Sequence, residues 1–246
     1  MRGLGTIINI VAILLGSAIG VLVGHRLPER TRRTVTDALG LVTLVIGALN
    51  IASLRDQDYI DAVGGGGTLL IVLGALVLGG ILGSLLRLED RLEGIGGWLQ
   101  AKFARGAKDS RATFVEGFVD ASLVFCIGPL AILGALSDGL GRGIDQLALK
   151  STLDGFAALA FASTLGWGVA ASALSVGVWQ GAWTVLSVWL GSLLSGALIA
   201  SITATGGVLL LGVGLRLLNI KQVAVGDLLP ALLLAPALTA LVAALR

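Results

Sequence analysis

Residues Phe125-Cys126-Ile127-Gly128-Pro129-Leu130-Ala131-Ile132-Leu133-Gly134-Ala135-Leu136-Ser137-Asp138 set a helix breaker inside an apolar run and close it with a carboxylate. Proline has no amide hydrogen for the carbonyl four residues back, and its ring crowds that carbonyl. Pro129 therefore disfavours a straight helix, and Gly128 permits the bend. In hydrocarbon a broken helix survives only where its freed backbone groups meet protein or a watery cavity. A plain proline kink and a break that presents carbonyls to a solute both fit this stretch. Polar groups recur downstream, beside further apolar runs, at Lys150-Ser151-Thr152-Leu153-Asp154 and Gln180-Gly181.

The surrounding chain has 246 residues, 56% hydrophobic and 13% charged, with a mean hydropathy of +0.97. That is too apolar for an ordinary soluble domain, so residues 1–246 read as a single integral membrane domain. The 37 glycines suit helices that approach closely through small residues. One cysteine excludes an internal disulfide, and one histidine argues against a zinc site of several His and Cys ligands. There is no Walker-type phosphate loop. No cofactor and no nucleic-acid partner are expected, and the residues leave metal binding open.

Apolar runs of spanning length lie near 6–24, 36–54, 66–87, 114–136, 149–174, 177–200, 203–218 and 226–245. They predict an all-α polytopic transmembrane bundle of eight helices, or seven if the closely linked last three are miscounted. Barrel strands would alternate apolar and polar residues, which these runs do not. The run at 6–24 is long enough to be a first transmembrane helix in place of a signal peptide. Lys and Arg in the links 25–35 and 88–112 place both in the cytoplasm, and the acidic link 55–61 falls outside. Both chain termini then fall outside. In the second basic link Leu88, Leu92, Ile95, Leu99 and Phe103 recur at steps of three and four, which predicts an amphipathic interfacial helix that Gly94, Gly96 and Gly97 could interrupt.

Two glycine patterns concern packing. Asn9, Gly16, Gly20 and Gly24 share one helix face, a smooth packing stripe with an amide at one end. Such Gly-rich faces also offer a route to a homo-oligomer. Gly40-Leu41-Val42-Thr43-Leu44-Val45-Ile46-Gly47 resembles Gly207-Val208-Leu209-Leu210-Leu211-Gly212-Val213-Gly214, on helices that cross in opposite directions, as an inverted repeat requires.

An ionisable group at mid-membrane costs about 2.5–3.5 kcal/mol on insertion scales, so each calls for an explanation. Asp37 and Asp227 read as caps at helix starts. The candidates for a solute or ion pathway are Asp120, Cys126, Gly128, Pro129, Asp138, Lys150, Ser151, Asp154 and Gln180. Each has a plainer reading. Asp120 could snorkel toward a basic link, Lys150 and Asp154 could neutralise each other at i, i+4, and Cys126 could be a small buried residue.

Phe125-Cys126-x-Gly128-Pro129, Asp138-Gly139-Leu140, Lys150-Ser151-x-Leu153-Asp154-Gly155-Phe156, Ala162-Ser163-x-Leu165-Gly166 and Gln180-Gly181-x-x-Thr184 together resemble the bacterial membrane protein family called domain of unknown function 554. The likeness extends to Arg26-Leu27-Pro28-Glu29-Arg30 and to Leu229-Pro230-Ala231-Leu232. It implies a multi-pass protein of the bacterial inner membrane, described as a transporter with no settled substrate. Asp227 departs from the Asn of some members, which puts in doubt any role there for a neutral amide.

The function expected is that of a secondary transporter or permease for a small solute or ion, with no enzymatic activity, working in the lipid bilayer. A channel and a non-transporting structural or regulatory protein are the alternatives. Gly226-Asp227 near Pro230-Ala231-Leu232 resembles the aspartyl intramembrane proteases. However, Ala224 stands where that motif has Gly, and both halves fall on one helix.

Overall fold

The computed structural model of the chain describes residues 2–24, 26, 28–103, 111–126, 129–141, 143–190 and 195–246. Gly128, with His25, Arg105 and Lys108 of the two basic links, lies outside the described residues. Among the described residues every regular element is helical: α1 (Leu4–Gly24), α2 (Glu29–Ile51, extended by a 3-10 turn Ala52–Arg55), α3 (Gln57–Val63), α4 (Gly67–Leu85), α5 (Leu88–Phe103), α6 (Arg111–Cys126), α7 (Pro129–Gly139), α8 (Asp145–Leu165), α9 (Gly168–Leu190), α10 (Gly196–Leu217), a 3-10 turn Gly226–Leu228 and α11 (Ala231–Leu245).

Six of these helices are long and apolar enough to cross a membrane: α1, α2, α4, α9, α10 and the last helix with its leading 3-10 turn. Helices α6 and α7 make a seventh candidate if taken as one span, their axes bent by 64°. Pro129 opens α7, where its missing N–H breaks no intrahelical bond. Helix α8 is also 21 residues long, but Lys150, Ser151, Thr152 and Asp154 dilute its apolar character.

Several boundaries differ from the sequence expectation. The apolar run at 149–174 is cut at Gly166, whose φ of +70° is costly for any residue with a side chain. Helix α9 therefore starts at Gly168, and α10 at Gly196 instead of near 203. The turn was hard to see because Gly166-Trp167-Gly168 is as apolar as its flanks. Helix α2 begins at Glu29, so Asp37 lies within the helix and does not cap it. Helix α5 runs through its glycines without interruption, and Gly96 and Gly97 let Phe118 and Arg111 of α6 approach.

The described residues form two compact units, one of 1–39, 92–126 and 130–191, the other of 40–91, 127–129 and 192–246. In the first, α1 and α8 lie side by side in parallel. A β-carbon at Gly16, Gly20 or Gly24 would come within 2.1, 2.3 and 2.3 Å of the carbonyl oxygens of Gly155, Leu159 and Ser163. The offset between partners is constant, which only parallel helices allow. Helices α6 and α9 are also parallel: Gly168 abuts the Phe114 carbonyl, and the Ser122 hydroxyl donates to Ser175 Oγ at 2.9 Å.

In the second unit α2 and α10 run antiparallel, and their contacts are reciprocal. Gly40 faces the Gly214 carbonyl and Leu218, just as Gly207 faces the Gly47 carbonyl and Ile51. Gly47 faces the Gly207 carbonyl and Leu211, just as Gly214 faces the Gly40 carbonyl and Leu44. Helix α4 runs antiparallel to α11, with Gly83 against Asp227 and Gly79 against Ala231. Tyr59 of α3 is fully buried, and its hydroxyl donates to the Thr68 carbonyl at 3.3 Å. Burial pushes its phenol above the usual range, partly offset by a hydrogen bond with Thr239.

The glycine stripe of α1 is thus occupied inside the chain. Gly20→Val is expected to cost about 1–3 kcal/mol through overpacking, seen as a lower midpoint in thermal unfolding of the detergent-solubilised protein. Gly181 on α9 meets nothing within 4 Å. Gly181→Ala should leave the midpoint unchanged or raise it, because alanine is favoured over glycine in a helix by about 1 kcal/mol.

Candidate functional site

Helix α8 carries Lys150, Ser151 and Asp154 on the face it turns inward, and all three are buried. The Lys150 ammonium donates to Asp154 Oδ2, with the two side chains only 8% and 10% exposed. Asn9 of α1 donates from Nδ2 to the same carboxylate oxygen at 2.9 Å. That contact follows from the close approach of the two helices, because Asn9 shares its face with Gly16 and Gly20. The Ser151 hydroxyl donates to the Leu147 carbonyl of its own helix at 2.6 Å. A buried ion pair must offset its desolvation through good geometry and added hydrogen bonds, and here an amide supplies one.

Helix α9 brings a further amide to this layer. Ile10 of α1 packs against Gly177, at 3.1 Å from the position of its β-carbon, and one end of α7, at Gly139, packs on Thr184 and Ser187. That same end of α7 holds the start of α1: Asp138 accepts from Gly3 N–H at 3.0 Å and Gly5 N–H at 2.9 Å. Helix α9 therefore runs antiparallel to α1, and Gln180 falls between these two anchor points, level with Thr6 and Asn9. Gln180 is fully buried, and neither Nε2 nor Oε1 has a hydrogen-bond partner among the described residues. Thr6 Oγ1 and Asn9 Oδ1 are likewise buried without a partner there.

The residues singled out from the sequence thus separate. Lys150, Ser151, Asp154 and Gln180 share one layer with Asn9 and Thr6. Asp138 lies beyond it as the cap of α1, a carboxylate on the positive end of a helix dipole. Cys126, half-buried at the end of α6, is within electrostatic reach of both Lys150 and Asp154. Its neighbour Phe125 packs edge-on against Phe161 of α8, ring centroids 6.1 Å apart. Asp120 is fully buried on α6, but the α6–α9 register sets it near Ala173, about 10 Å along the axis from Gln180 at 1.5 Å per residue. Among the described residues no group of three or more His, Cys, Asp or Glu side chains is arranged to hold a metal ion.

A second polar knot lies in the other unit. Glu89 accepts from Arg216 Nη1 at 2.6 Å and from Gly226 N–H at 2.6 Å, while its own N–H donates to Asp227 Oδ1 at 2.9 Å. Asp227 therefore caps the start of α5 in place of its own helix, and Glu89 returns the favour at the 3-10 turn. Sequence reasoning missed this exchange, as it missed the role of Asn9, because both depend on helices far apart in the chain.

Six helices long and apolar enough to cross a membrane, with a seventh candidate in the bent pair, define a multi-pass membrane protein. The chain belongs to the family described as "Protein of unknown function (DUF554)", which matches residues 4–240. It is similar to the "Uncharacterized membrane protein YdfK" of Bacillus subtilis, at 34% identity over 94% of this chain and 93% of the relative. It is also similar to the "Uncharacterized protein YqgA" of Escherichia coli, at 32% identity over 96% of each chain. No solved structure matches it.

Lys150→Met strands the Asp154 carboxylate in a buried site and should cost about 3–5 kcal/mol. The double variant Lys150→Met/Asp154→Leu removes both charges and should recover most of that loss, as read from unfolding midpoints. Equal destabilisation of the two would show that the ion pair is not buried as a unit.

Proposed function

We propose that the protein is a secondary transporter of the bacterial inner membrane, moving a small solute or ion along the α1–α8–α9 interface without an enzymatic step. The observation that carries this reading is the Lys150–Asp154 pair with Asn9, buried in a layer that also holds the unpartnered amide of Gln180. An anchor has no physical use for such groups inside apolar helices, whereas a solute path needs them. Cys126, at the end of α6 where the chain bends toward α7, is within electrostatic reach of the same pair.

The helix directions support eight crossings with α8 as the fifth. Counting α6 and α7 together as the fourth, α1 and α8 are first and fifth and run parallel, and α6 and α9 are fourth and sixth and run parallel. The antiparallel pairs α2 with α10 and α4 with α11 are second with seventh and third with eighth. Every relation fits strict alternation, and leaving α8 out would make α6 and α9 antiparallel. Reciprocal contacts between α2 and α10 support an inverted repeat. Exchanging residue 40 with 207 and 47 with 214 maps each glycine contact onto another, as a two-fold axis in the membrane plane would. On this reading the links 25–35 and 88–112 face the cytoplasm, and the Lys150 layer lies toward the outer side.

Cys126 is the chain's single thiol and lies within electrostatic reach of the pair, so its labelling reports on water near the pair without mutation. In proteoliposomes a membrane-impermeant methanethiosulfonate reagent is expected to modify it in the folded protein. Complete resistance from both sides, with full labelling after unfolding in detergent, would sink the pathway.

A further inference from the structure

We infer that the solute bound at the Lys150–Asp154 layer carries no net charge and presents both hydrogen-bond donors and acceptors, which excludes simple cations and anions; this rests on the transport reading above. Lys150 and Asp154 cancel, and Asn9 completes the carboxylate oxygen they share. The flanking carboxylate, Asp138, is met by the amide hydrogens that open α1. An ion entering this layer would bring a charge that no described side chain there is left to balance, and an isolated charge in a low-dielectric interior is heavily penalised. A neutral or zwitterionic solute brings no such charge.

The groups still needing partners specify the rest. Gln180 offers an N–H₂ and a carbonyl oxygen, Asn9 a carbonyl oxygen, and Thr6 a hydroxyl that can play either part. Turning either amide over changes which atom points where but leaves donors and acceptors both present. A bare cation could use only the acceptors, and an anion only the donors. A solute with hydroxyl, amide or paired ammonium and carboxylate groups could use both. It is also small, because these groups belong to three helices in contact at one level.

The test follows the rate at which a thiol-reactive dye labels Cys126 in the purified full-length protein in nanodiscs. Glycerol and urea serve as uncharged probes, glycine and betaine as zwitterions, sodium and choline as cations, and acetate and phosphate as anions. At least one uncharged or zwitterionic probe is expected to slow labelling by the factor 1 + [L]/Kd, about threefold at twice Kd, and no single ion should. Gln180→Leu removes the unpartnered amide at similar volume, so it should fold with an undiminished unfolding midpoint and lose the protection. Protection by an ion alone, by none of the probes, or to an equal degree in Gln180→Leu overturns this inference and leaves the pathway standing. A Cys126 that no reagent reaches in the folded protein overturns the pathway itself.

Discussion

Helices α1 and α8 touch backbone to backbone, and the side chains that matter most are placed by that contact. Lipid tails are as apolar as leucine, so no hydrophobic force draws two such helices together in a bilayer. Close packing and polar contacts must do it. Three glycines on α1 bring its backbone against three carbonyls of α8 and fix the pair in parallel register. At that separation the short side chain of Asn9 reaches Asp154. With any larger residue in the stripe the helices would part, and the carboxylate would lose the amide that helps offset its burial.

Five carboxylates of the chain, Asp56, Glu89, Asp138, Asp154 and Asp227, are answered in two physically different ways. Asp138, Asp227 and Asp56 each accept from backbone N–H groups at a helix start, and Glu89 does so while also holding Arg216. Asp138, Asp227 and Glu89 join separate elements in this way, Asp56 caps its own helix α3, and all four use donors that a helix leaves unsatisfied in any case. Asp154 takes a lysine and an amide instead, in the middle of a helix, where no free N–H is at hand. Position along the helix thus sets which kind of donor each of these carboxylates finds.

Much of the membrane fold was legible because length and hydropathy act locally: the runs at 6–24, 66–87 and 226–245 became α1, α4 and the closing helix. The matching glycines at 40 and 47 and at 207 and 214 can be read from the sequence, although not that the two segments pack on each other. What stayed hidden was set by tertiary approach. Gly166-Trp167-Gly168 looks apolar and is a turn, since only a positive φ reveals it. Asn9 reads as one end of a packing stripe until α8 is laid against it. Asp138 and Asp154, sixteen residues apart and similar by eye, part company once one of them finds the start of α1.

A buried amide with no partner forfeits its bonds to water and receives nothing in return, at about 1–3 kcal/mol. At the position of Gln180 a leucine would fill comparable space without that loss. A lone orphan could be a local accident, but Thr6, Asn9 and Gln180 come from two helices and leave their unanswered atoms at one level, beside the ion pair of a third. A chain that must take up and release a polar solute has a use for such atoms: if its own groups satisfied one another, the solute would have to break those bonds to enter. On the transport reading the cost at this layer is therefore what keeps it open to a ligand, and stability and binding should move in opposite directions there.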